Sequence, residues 1–249
     1  MRTLIIYLLL LNTIYSQQDR TTMGVSLQTQ NVLDNNFSIN PEQMDLINQS
    51  LQKYEYQNNR DTLLFMDPLS EDMMNLNEGG KNYISYYPDV NNNVGTVVNY
   101  FCDFRLTSDQ LSGTHVEIGG FYYMDEMLTP VLAAADGIVA YAVDGQFDRW
   151  QFGDNSQNAN SNVVSIIHSG GYYTTYSSLK KNSIVAMEGD TVQAGDTIGY
   201  PGSSYQLSQR PHLFFEVGNV LNDPEQHVNP WSGECGLEQS MWANQLPYM

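Results

Sequence analysis

The chain has 249 residues, 28 acidic against 10 basic side chains and a formal charge of −18. At 41% apolar residues it can bury a full core in one or two domains, while a pI near 4.2 removes the Lys/Arg surplus that nucleic acid or an anionic membrane surface demands. No apolar run reaches the roughly 20 residues of a transmembrane helix, so no transmembrane segment is expected, and two cysteines are too few for a small disulfide scaffold.

The first residues read as a secretory signal. Arg2 supplies a positive start, Leu4 to Leu11 an apolar run too short to span a bilayer, and Ser16 a small residue before a cut at Gln17. The protein is therefore expected outside the cell. In an oxidising compartment Cys102 and Cys235 can form one bridge across a long loop; two buried free thiols are the alternative. Asn36-Phe37-Ser38 and Asn48-Gln49-Ser50 are weak glycosylation acceptors at Asn36 and Asn48.

Residues 17 to 39 are rich in Gln, Asn and Thr and read as an extended lead. Asn40-Pro41-Glu42-Gln43 then has the form of a helix start, with Asn as N-cap and Pro at the first helical position. Met44, Ile47, Leu51 and Tyr54 recur at helical spacing, which predicts a helix over 41–56. A second short helix is expected within 67–74. From Val94 the texture changes to short β-rich runs between Gly, Asp and Asn turns: 95–101, 137–143, 163–168, 171–176, 196–200 and 212–217. Strands this short and regular predict an antiparallel sandwich or barrel. The expected division is a signal over 1–16, an N-terminal extension with one or two helices over 17–93, a β domain over 94–243 and a tail over 244–249.

The run from Cys102 to Trp242 resembles the lysostaphin-like zinc metallopeptidases of family M23. Pro130 to Val139 resembles that family's first hairpin, and Asp144-Gly145-Gln146-Phe147-Asp148-Arg149 a turn of one subgroup. Val163 to Leu179, Glu188 to Gly199, and Pro211-His212-Leu213-Phe214-Phe215-Glu216-Val217 follow in family order. The 188–199 segment is also similar to biotinyl and lipoyl carriers, but Lys180 and Lys181 lack the flanking Met of a carrier lysine. The resemblance implies a mostly β, antiparallel fold. It also implies a disulfide from Cys102 to Cys235 that ties the tail, Ser232 to Gly236, to the β domain.

Family enzymes hold one zinc with a His, an Asp four residues later and the last His of a His-Leu-His segment. Two further histidines serve the water or the transition state. Three protein ligands and an open position lower the pKa of bound water to about 7. Gly113-Thr114 sets the register here, which places Leu111 and His115 at the first two ligand positions and Phe214 at the third. His212 keeps one catalytic position, and Ser178 replaces the other. Leu and Phe have no lone pair for a metal, so no cofactor is expected. An alternative register makes Glu117 the acid ligand, with His115 and His212 rebuilding a zinc site. His168 reads as structural, His227 as an exposed loop residue, and Asp144 and Asp148 as a solvated turn rather than a cation site. A serine-nucleophile reading of Ser178 with His212 lacks an acid to orient the histidine.

The sequence thus predicts a secreted M23-like protein without catalysis, binding an extracellular protein or carbohydrate. The alternatives are a zinc endopeptidase with substituted ligands, acting on peptide cross-links, and a self-assembling extracellular protein.

Overall fold

A computed structural model describes residues 41–53, 63–69, 82–91, 93–149, 160–205, 208, 210–221 and 223–245. The expected signal, the lead over 17–39, Asn36, the helix end over 54–56 and residues 70–74 lie outside these. All described residues belong to one unit, Ser38–Met249. No helix among them is long and apolar enough to cross a membrane.

Helix α1 spans Pro41–Lys53. Proline suits the first helical turn because the N–H it lacks would have no intrahelical partner there. The predicted stripe turns inward: Ile47 is fully buried, Met44 half-buried, and the intervening Asp45 and Leu46 are exposed. Ile47 packs among Ala140, Tyr141, Val163, Ile167 and Tyr173, and the Ser50 hydroxyl donates to the Ala140 carbonyl at 2.7 Å. Asn48 is half-buried on this docked helix.

The strands are β1 (Tyr83–Tyr86), β2 (Gly113–Glu117), β3 (Val131–Leu132), β4 (Gly137–Val143), β5 (Val163–Ile167), β6 (Tyr172–Ser177), β7 (Thr191–Val192), β8 (Thr197–Gly199), β9 (His212–Asn219) and β10 (Asp223–His227). A short helix α2 (Phe121–Asp125) follows β2. The main sheet runs β1-β2-β9-β6-β5-β4-β7, with β10 also on β9; β3 and β8 make a second, two-stranded sheet. Every pairing is antiparallel. The fold is thus mostly β and antiparallel, as the sequence predicts.

Strand β9 positions the site. It is buried along its whole length between β2 and β6. Side chains alternate across a strand, so Leu213, Phe215 and Val217 enter the main core with Val116, Tyr176, Trp231 and Trp242. His212, Phe214 and Glu216 point to the opposite face.

Three expectations change. The run 95–101 is no strand but the start of a looped excursion. Its amides are taken locally: Gly95 N–H by the Asp109 carboxylate, Val98 N–H by Asp89, and Phe101 N–H by the Asn99 side chain. Such side-chain acceptors compete with ladder pairing. Residues 67–69 are not helical but bend at Pro68, with the Leu69 N–H donating to the Asp67 carboxylate and bridges from Phe65 to Trp242 and from Leu69 to Val131. His227 is exposed but ends β10 instead of lying in a loop.

Candidate functional site

Strands β2 and β9 pair so that His115 faces Phe214 and Glu117 faces His212. The His115 ring lies 5.1 Å from the His212 ring and nearly parallel to it, at 15°. It meets Phe214 at 4.6 Å edge-on, and Tyr86 of β1 at 5.8 Å. Phe214 is fully buried and Leu111 is 3% exposed. Gly113 makes room for the ring: a Cβ there would stand 2.8 Å from Phe214 Cζ and 2.6 Å from the Phe215 carbonyl oxygen.

His212 is fixed at both nitrogens. Nδ1 lies 3.0 Å from the Arg210 carbonyl, which can only accept, so the proton sits on Nδ1. Nε2 then accepts from the Ser178 hydroxyl at 3.1 Å. Ser178 is itself fully buried and held at φ 64, a left-handed backbone that costs a non-glycine residue about 1 kcal/mol. Its N–H donates to the Ser161 hydroxyl.

Burial lowers the pKa of His212, offset in part by the Glu117 charge. Burial, with His212 close by, takes His115 well below the ordinary histidine range. Both rings are neutral near pH 7. Glu117 is buried, accepts from the Ser85 hydroxyl, and lies 3.6 Å from Arg210 Nε; its Oε2 has no hydrogen-bond partner. One turn of the pleat further, Glu216 is 2% exposed and takes the Ser112 hydroxyl at 2.5 Å. Burial pushes its pKa up to about 8.

Residues 119–230 match the sequence profile of Peptidase family M23. This segment is similar to family M23. No curated protein matches the chain. Among solved structures it is similar to a mutant catalytic domain of the prophage-encoded M23 protein EnpA from Enterococcus faecalis, at 22% identity, over 58% of this chain and 95% of that one, with a TM-score of 0.37. It is similar at 20% identity to the catalytic domain of the antimicrobial peptidase lysostaphin from Staphylococcus simulans, over 60% and 88% of the two chains, TM-score 0.35. A third likeness is to the SpoIIQ–SpoIIIAH pore-forming complex, at 16% identity, over 68% and 90%, TM-score 0.42.

The M23 register taken from the sequence puts Leu111, His115 and Phe214 where zinc ligands stand. This donor set does not fit the metal, because two of the three side chains are buried hydrocarbon without a lone pair. Among the described residues no three of His, Cys, Asp and Glu form a group able to hold a metal ion, and His115, Glu117 and His212 are no exception.

The remaining sequence candidates have visible partners. His168 Nδ1 donates to the Asp136 carbonyl, and Nε2 lies 2.7 Å from the Thr174 hydroxyl, which meets the Tyr176 hydroxyl in turn. Burial holds its pKa at about 4. Asp144 accepts the Asn182 and Ile184 amides and Asp148 that of Lys181, so both carboxylates clamp the 181–184 loop. Cys102 and Cys235 are bridged, with Cα atoms 5.1 Å apart. Sequence reasoning missed β1, whose Tyr83 and Tyr86 flank the site. Their alternation over four residues is too short to separate from loop.

Proposed function

We propose that this is a secreted M23-domain protein that works by binding rather than by hydrolysis. One observation carries the reading: Phe214, which the M23 register expected from the sequence sets at a metal-ligand position, is fully buried and packs on His115. Hydrocarbon at Leu111 and Phe214 removes two bonds of a three-ligand site. His212, the retained catalytic-position histidine, spends both nitrogens inside the protein, on Arg210 and Ser178. Around it, Tyr83 and Tyr86 are 42% and 44% exposed, and Arg210 donates to the Tyr83 hydroxyl. An amphipathic surface of tyrosine and arginine suits an extracellular protein or carbohydrate. The test is incubation of purified protein, with added zinc, on cross-linked bacterial wall and on short peptide cross-links. No release of amino termini is expected; steady zinc-dependent release overturns the reading.

A second reading, a zinc endopeptidase with substituted ligands, is favoured by the buried Glu117 Oε2, which lacks a hydrogen bond beside the two histidines. Stoichiometric zinc lost on Glu117→Gln would support it.

A further inference from the structure

The loop over 99–106 is built from the inside. Asn99 is fully buried and organises it: its Oδ1 accepts the Phe101 and Asp103 amides, its Nδ2 donates to the Arg105 carbonyl, and its N–H donates to the Asp103 carbonyl. Adjacent aromatic residues then part company. Tyr100 is 1% exposed, stacks on Trp231 at 5.4 Å and meets Tyr87 edge-on. Phe101 is 53% exposed, Phe104 74% and Leu106 37%.

The loop is also pinned from outside. Cys102 is bridged to Cys235, Cys235 N–H donates to the Tyr100 carbonyl, and Tyr87 N–H donates to the Leu106 carbonyl. Cys102 and Leu106 both hold positive φ, at 61 and 52. Non-glycine residues adopt that backbone at a cost, which persists only where the surroundings impose it. A disulfide, a buried asparagine and two strained residues therefore hold three large apolar side chains towards water. Folding alone gains nothing from that exposure, whereas aromatic anchors fixed in advance lose little entropy on binding.

We propose that Phe101, Phe104 and Leu106 form a preorganised binding knob for a protein partner with an apolar cleft and a basic rim. Charge selects this occupant. The chain carries −18, while Asp103 and Arg105 neutralise each other on the knob itself through Arg105 Nε and Nη2. A basic rim complements the net negative charge of the chain, whereas a second copy or an anionic membrane is repelled.

The test uses a random peptide library displayed on phage, selected on the disulfide-intact full chain. Enriched peptides should combine Lys or Arg with apolar residues. They should lose about tenfold or more in affinity on Phe104→Ser, the scale of an interface hot spot, and keep affinity on Tyr122→Ser, a change at another exposed aromatic residue (67%). Unchanged thermal unfolding of Phe104→Ser confirms that the fold is intact; Phe101→Ser supplies a second variant. Peptides that bind Phe104→Ser equally, or that are acidic, overturn the proposal. So does a dimer in sedimentation that Phe104→Ser abolishes, or knob-dependent binding to phosphatidylcholine vesicles, which would assign the knob to a second copy or to a membrane.

Discussion

The Ser178 hydroxyl donates to His212 Nε2 across 3.1 Å, joining the two positions where M23 peptidases are expected to keep catalytic histidines. The bond ties the end of β6 to the start of β9 with both partners buried. Ser178→Ala leaves a buried acceptor unpaired, at a cost of about 1–3 kcal/mol. A lower urea midpoint with an unchanged slope is expected. No change in midpoint would show that His212 finds another donor, and the latch would be dispensable.

Glu216 governs the alkaline side of stability. Its carboxyl titrates near the ordinary value of 4.5 when unfolded and at about 8 when folded, because burial outweighs the Ser112 hydrogen bond. Between those values the native state keeps a proton that the unfolded chain has released, so stability falls as pH rises from 4.5 towards 8. His168 acts in the opposite direction. Its folded pKa of about 4 lies below 6.5, so its contribution is lost as pH falls through that window. Glu216→Gln keeps the acceptor for Ser112 and removes the titration. The variant should gain stability over the natural chain at about pH 9 but not at about pH 5, read from urea midpoints at both. An equal difference at the two pH values would mean that Glu216 does not titrate in this range.

The disulfide spans 133 residues of sequence. In the chain-entropy account, closing a loop of that length disfavours the unfolded state by about 5 kcal/mol. Cys102→Ser should therefore lower the urea midpoint sharply, and reduction should do the same to the natural chain. A midpoint shift equivalent to less than about 1 kcal/mol would show that the tail is held by Trp231 and Trp242 packing instead.

How much of this was legible in the sequence depends on the distance between partners. The run 137–143 coincides with β4, and 212–217 with the first six residues of β9, because β-branched and aromatic runs bounded by turn residues carry their own signal. The run 95–101 has the same composition and is not a strand, because buried Asn99 and the carboxylates of Asp89 and Asp109 claim its amides. Nothing local announces that. At the site, register alone sets Leu111 and Phe214 at expected ligand positions, and the structure shows both side chains buried. The stacking of His115 on His212 could not, since it arises from pairing between β2 and β9, far apart in sequence.

Processing of the leader is testable without the fold. Protein recovered from the medium of a secreting host should begin near Gln17, as N-terminal sequencing would read directly. A sequence starting at Met1 removes the secretory reading, and with it the oxidising compartment expected for the bridge.

The last prediction concerns metal. Purified protein should hold well below one zinc per chain by elemental analysis, and a chelator should not move its unfolding midpoint. The reason is chemical: structural zinc in small peptides contributes roughly 10–16 kcal/mol through its ligand bonds, and neither Leu111 nor Phe214 can supply such a bond. Restoring Phe214→His alone leaves Leu111 at one ligand position, so a single restoration should not recover binding. The fourfold change Leu111→His, His115→Asp, Phe214→His and Ser178→His rebuilds the full set and should bind zinc. It should also lower the stability of the metal-free protein by a few kcal/mol, since polar groups enter a buried site that only the metal can satisfy. Zinc should then raise the midpoint of the fourfold variant and leave that of the natural chain unchanged. Stoichiometric zinc in the natural chain, released by Glu117→Gln or His115→Ala, would instead establish the substituted-ligand peptidase.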